Sequence, residues 1–117
     1  MSDITYIDTN HRRSRAVVAG GTVYIAGHTG QDRTKDAAGQ AKDILAAIEA
    51  LLEQAGSGKD RLLNVTIMLA CMDDFNAVNE VYDQWIVAGK APARCCSEVK
   101  LAFPDILVEV TAIAQLR

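Results

Sequence analysis

The sequence predicts an α+β fold: a mixed β-sheet with two helices packed on one of its faces, in the order β-β-β-α-β-α-β-β. Three observations predict it. Gly20-Gly21 lies between two short apolar runs, which reads as a hairpin because both positions tolerate positive φ. Two stretches, Asp36 to Ala55 and Phe75 to Ile86, repeat their apolar residues every three or four positions, the period of an amphipathic helix. The remaining apolar runs are short and rich in β-branched residues, and strands grouped around two helices indicate helices stacked on a sheet.

Taken in order, Ile4 to Thr9 forms a short first strand, and Ala16-Val17-Val18-Ala19 with Thr22-Val23-Tyr24-Ile25-Ala26 forms the hairpin. The second arm ends at Gly27-His28-Thr29-Gly30, where glycine allows a bend or a close backbone approach. In the first helix Ala41, Ile44, Leu45, Ile48, Leu51, Leu52 and Ala55 share one face, and Gly56 stops it as a C-terminal cap. Leu62 to Cys71 reads as a central strand. Asp73 or Asp74 caps the second helix, whose Phe75, Val78, Val81, Tyr82, Trp85 and Ile86 form its core face. Arg94 to Leu101 and Leu107 to Gln115 are the closing strands, parted by Phe103-Pro104-Asp105.

With 117 residues, half of them hydrophobic, the chain has the size and composition of one globular domain spanning 1–117. Its net charge of −3 argues against a dedicated nucleic-acid binder, and His11-Arg12-Arg13-Ser14-Arg15 is the one basic cluster that runs the other way. No apolar run reaches membrane-spanning length, and the first residues lack the pattern of a secretory signal. Three cysteines, an odd number with two adjacent, fit a reducing compartment, so the cytoplasm is expected. Cys71, Cys95, Cys96, His11 and His28 lack the spacing of a metal site, and no metal is expected.

Within Ala91-Pro92-Ala93-Arg94-Cys95-Cys96-Ser97-Glu98-Val99 a cation enters a strand. Pro92 supplies no backbone donor and favours extended geometry before it, so the strand begins just after. Arg94, Cys96 and Glu98 then share one face. A guanidinium offers a planar fork of donors suited to a carboxylate or phosphate, which makes Arg94 a candidate substrate clamp. Glu98 on the same face is the alternative partner, in an ordinary ion pair. Several strands are apolar on both faces, as in Val65-Thr66-Ile67-Met68-Leu69, yet two helices cover one side only. A homo-oligomer built through the uncovered face is therefore expected.

Over almost its full length the chain resembles the RidA/YjgF/L-PSP family. The residues that carry the resemblance are Ala16 to Gly20 with Val23-Tyr24-Ile25-Ala26-Gly27, the helix Asp74 to Tyr82, Pro92-Ala93-Arg94-Cys95-Cys96, and Val108-Glu109-Val110-Thr111-Ala112-Ile113-Ala114. The resemblance implies a chorismate-mutase-like fold, a homotrimer with ligand sites at the subunit interfaces, and hydrolysis of enamines and imines such as 2-aminoacrylate to a 2-keto acid and ammonia without a cofactor. It places the carboxylate clamp on Arg94, pocket-lining roles on Cys96, Gly27 and Asn79, and the water-activating position on Thr111.

Two residues depart from the family pattern. Thr111 stands where deaminating members carry a glutamate, and a threonine hydroxyl orients water without serving as a carboxylate base. Glu109, two residues earlier on the same strand face, is the substitute to weigh, against a structural role. Arg13 stands where many members carry a pocket tyrosine, and a second cation there suits a dianionic substrate such as an aminomuconate, or faces solvent. His28 is a candidate proton carrier, the alternative being a hydrogen-bonded strand-end residue. Attack by Cys95 or Cys96 would need a nearby base that the sequence does not place. The function expected is deamination of a small carboxylate-bearing imine or enamine; the alternatives are a non-catalytic carboxylate binder and a chaperone-like role.

Overall fold

The computed structural model describes residues 3–117. Six strands, β1 (Thr5–Thr9), β2 (Ser14–Ala19), β3 (Thr22–Thr29), β4 (Leu62–Leu69), β5 (Ala93–Glu98) and β6 (Val108–Gln115), form one sheet in the order β1-β2-β3-β6-β4-β5. β4 and β5 run parallel and every other pair is antiparallel, so the sheet is mixed as expected. The parallel pair needs a crossover, and helix α2 (Phe75–Trp85) supplies it. Helix α1 (Ala37–Gln54) likewise joins β3 to β4.

Both helices cover the same face. Ile44, Ile48 and Leu52 of α1 and Val78 and Tyr82 of α2 are buried against Val23, Ile25, Val65, Ile67, Val110 and Ala112 of the sheet. Alternation along each strand turns Tyr24, Asn64, Thr66, Met68, Glu109, Thr111 and Ile113 to the other face, where none is buried. That second face is less apolar than the sequence suggests. Its continuous apolar part is a row in register, Tyr6 beside Val17, Val17 beside Tyr24, and Tyr24 beside Ile113.

Local chemistry accounts for the helix limits. Asp36 caps α1 by accepting a hydrogen bond from the Gly39 amide at 2.9 Å. At the other end Gly56 takes φ +91°, while the Gly56 amide donates to Glu53 and that of Ser57 to Leu52. This is the paired bonding that closes a helix on a left-handed glycine. The second helix starts differently from expectation: a 3-10 turn, Met72–Asp74, precedes it, and the Asp74 side chain makes no capping bond. Ile86 lies just past its end.

Several strand limits also differ: β2 begins at Ser14 rather than Ala16, and β4 ends at Leu69 rather than Cys71. β5 stops at Glu98 rather than Leu101, because its partner β4 ends at Leu69, the residue opposite Glu98. β3 runs on to Thr29 through an irregularity at Ala26-Gly27. Among the described residues no helix is long and apolar enough to cross a membrane.

Candidate functional site

Arg94 sits on the edge strand β5 opposite Val65, so its side chain rises on the helix-covered face. There α2 receives it. The guanidinium lies 4.7 Å from the centroid of the Tyr82 ring, and its Nη2 donates to Asn79 Oδ1 at 2.5 Å. Asn79 and Tyr82 are three residues apart, which puts both on one face of the helix. An aromatic face attracts a cation, and a single side-chain amide occupies one of the five N–H groups of the fork. None of the ion pairs among the described residues involves Arg94. Glu98, the alternative partner, instead accepts from the Met72 amide at 2.9 Å and braces the turn before α2. Arg94 is thus a held cation without a counter-charge among the described residues.

Cys96 follows on the same face and is half-buried. Burial pushes its thiol up from the ordinary value, with Arg94 opposing. The thiol form is therefore favoured at neutral pH, which suits a pocket wall better than a nucleophile.

A second group of residues gathers on the uncovered face. Ile25 pairs with Ala112 and His28 with Val110, so two residues of β3, Ala26 and Gly27, stand against the single Thr111 of β6. This is a β-bulge. Gly27 faces the open side, and a Cβ built on it would collide with Glu109 Oε2. The Glu109 carboxylate therefore reaches across the glycine backbone beside Thr111, and only a residue without a side chain leaves it that position. Thr111 in turn pairs with Thr66, and Thr66 with Cys95.

The remaining predicted residues lie at the same end of β3. A cavity of about 220 Å³ is lined by Arg13, Arg15, Gly27, His28, Thr29 and Gln31 among others, with no carboxylate in its wall. Arg13 belongs to the β1–β2 turn, where its amide donates to Asn10 Oδ1 at 2.9 Å and its Nη1 to the Asp8 carbonyl at 2.8 Å. Arg15 is neutralised by Asp8 at 2.7 Å. His28 is turned by the bulge to the helix-covered face, 8% exposed, and its Nδ1 lies 2.7 Å from the Ala26 carbonyl. That geometry is the hydrogen-bonded alternative, and it sets the ring away from Glu109 and Thr111.

The predicted residues thus form two groups. Arg94, Cys96 and Asn79 lie on one face at the β5 edge; Gly27, Glu109 and Thr111 lie on the other, with β4 between the two strands. One copy of the chain does not bring them together. The sequence presents Tyr82 as helix core alone, yet it is also the shelf under Arg94. Its spacing from Asn79 is the signal that could have found it. Among the described residues no cluster of three His, Cys, Asp or Glu side chains could hold a metal ion.

A family model described as endoribonuclease L-PSP matches residues 4–116. The RutC family protein YoaB of Escherichia coli strain K12 is 40% identical over 111 residues, covering 95% of this chain and 96% of that protein. A YjgF family protein from Neisseria meningitidis superposes with a TM-score of 0.94 at 38% identity, covering 98% of this chain and 96% of that one. A YjgF/YER057c/UK114 family structure from Mycobacterium tuberculosis gives 0.87 at 30% identity, covering 97% and 100%.

Proposed function

From the premise that the chain belongs to the endoribonuclease L-PSP family, also named YjgF and RutC, we propose that it hydrolyses imines and enamines of small 2-keto acids. The observation that carries this reading is Arg94: a cation shelved on Tyr82, tethered by Asn79 and free of any carboxylate among the described residues. A site of that kind binds a carboxylate in a fixed orientation and holds the adjacent imine carbon in place for attack.

The second half of the chemistry needs a water and a base. Glu109, lying across Gly27 beside Thr111, is the carboxylate at hand on the open face, and the Thr111 hydroxyl orients the water. Water adds to the imine carbon while Glu109 takes its proton. That proton passes to nitrogen, giving an amino alcohol, whose hydroxyl proton then moves by way of Glu109 to the same nitrogen as the carbonyl forms and the C–N bond breaks, so that a 2-keto acid and ammonia leave. An enamine first takes a proton on carbon to become the imine. Each atom of the water is accounted for, and no cofactor is called on.

Because the two groups lie on opposite faces, the working site takes Arg94 from one copy and Glu109 and Thr111 from another. A homotrimer packed through the uncovered face provides such a junction, and the row Tyr6, Val17, Tyr24, Ile113 gives it apolar surface to bury. The net charge of −3 weighs against RNA as the substrate that the family model's description would suggest.

Thr111 favours a second reading, a binder that keeps the clamp without the chemistry. Both are tested by generating 2-iminopropanoate and following keto acid and ammonia. Faster release with the protein supports hydrolysis; background rates with measurable pyruvate binding point to the binder.

A further inference from the structure

We propose that His28 is a positioning residue that holds the Ala26–Gly27 bulge in the form the site uses. A bulge sets an extra residue outside the regular ladder, so its backbone groups need partners from elsewhere. The Ala26 carbonyl finds one in His28, whose Nδ1 stands 2.7 Å away. A carbonyl oxygen only accepts, so Nδ1 carries the proton in this contact. The residue that makes the bond is buried, 8% exposed, at the helix-covered face, where it lines a cavity together with Arg15 of β2 and Ala47 and Leu51 of α1.

The bond matters because of what the bulge decides. Side chains alternate along a strand, so without the extra residue Gly27 would face α1 and His28 would face the open side. With it, the bare Gly27 backbone faces Glu109 and Thr111, and Glu109 has room to lie across it. His28 thereby sets the floor of one half-site from the far side of the sheet, without touching substrate.

This inference rests on the proposed hydrolysis for its kinetic readout, and a second readout stands apart from it. The asparagine of a His28→Asn variant carries its amide nitrogen two bonds from Cβ, where imidazole carries Nδ1; the glutamine of a His28→Gln variant carries it one bond further; the leucine of a His28→Leu variant has none. With imine as substrate, His28→Leu and His28→Gln are expected to lower kcat about tenfold or more with KM nearly unchanged, because the carboxylate clamp is untouched while the attacking side is displaced. His28→Asn is expected to recover kcat to within about threefold of the native value. By NMR, the cross-strand backbone contacts that pair Ile25 with Ala112 and residue 28 with Val110 are expected to be lost in the His28→Leu and His28→Gln variants and kept in the His28→Asn variant. Equal loss of kcat in the His28→Asn and His28→Leu variants, or cross-strand contacts kept in all of them, overturns the assignment. If the native protein hydrolyses no imine, the deaminase reading fails and the cross-strand contacts alone decide the role of His28.

Discussion

Replacing Arg94 by lysine separates the charge of the clamp from its shape. Lysine keeps the cation but not the planar fork, the bond to Asn79 at 2.5 Å or the stacking over Tyr82 at 4.7 Å. A charge-assisted hydrogen bond contributes about 1.5–3 kcal/mol, so losing one of a bidentate pair predicts a fall of about 10- to 100-fold in kcat/KM. Arg94→Ala removes both bonds, and the same arithmetic gives about 10²- to 10⁴-fold. Stability should change little. Among the described residues the cation has no buried counter-charge to orphan, and a half-exposed cation–π contact contributes about 0.5–1 kcal/mol. The assay generates 2-iminopropanoate from alanine with an amino-acid oxidase and follows loss of the imine with a carbonyl-trapping reagent, with urea unfolding as the control for folding. If both variants kept kcat/KM within about twofold of native while folded, the clamp argument would be wrong.

Gly27→Ala is expected to fold, at a cost of about 1–3 kcal/mol for overpacking, and to lower kcat by forcing the Glu109 carboxylate aside, which urea melts and steady-state kinetics together would detect. Cys96→Ser should retain most activity. In the native protein, alkylation of Cys96 should be slow at neutral pH and accelerate only above the range of an ordinary thiol, because burial favours the protonated form; fast labelling at pH 7 would contradict this. Leu52→Ala, at a fully buried position in the α1 face, should cost about 2–5 kcal/mol in unfolding free energy by urea titration, without altering KM.

What the sequence disclosed and what it withheld follow from the range of the interactions involved. Gly20-Gly21, the periodicity of α1 and the Gly56 stop are local features, and each stands where expected. The neighbourhood of Arg94 was half legible: strand alternation put Cys96 and Glu98 on its face, but Glu98 is consumed by the Met72 amide, a contact between residues 26 positions apart that no spacing rule reaches. The bulge was less visible still. Gly27 signalled a close approach, yet which face His28 takes depends on the count of residues against Thr111, which only the β3–β6 pairing supplies. For the same reason the separation of Arg94 from Thr111 by the sheet itself was hidden. It depends on the strand order β3-β6-β4-β5, which is set by long-range pairing.

The central claim is that a working site combines Arg94 of one copy with Glu109 of another. Arg94→Ala and Glu109→Gln subunits, each inactive alone, can be unfolded, mixed in equal amounts and refolded together. If each site draws one group from each of two subunits, random assembly leaves about one site in four intact, and about a quarter of native imine hydrolysis returns. If both groups act within one chain, every site in the mixture lacks one of them, and the mixture stays as inactive as its components.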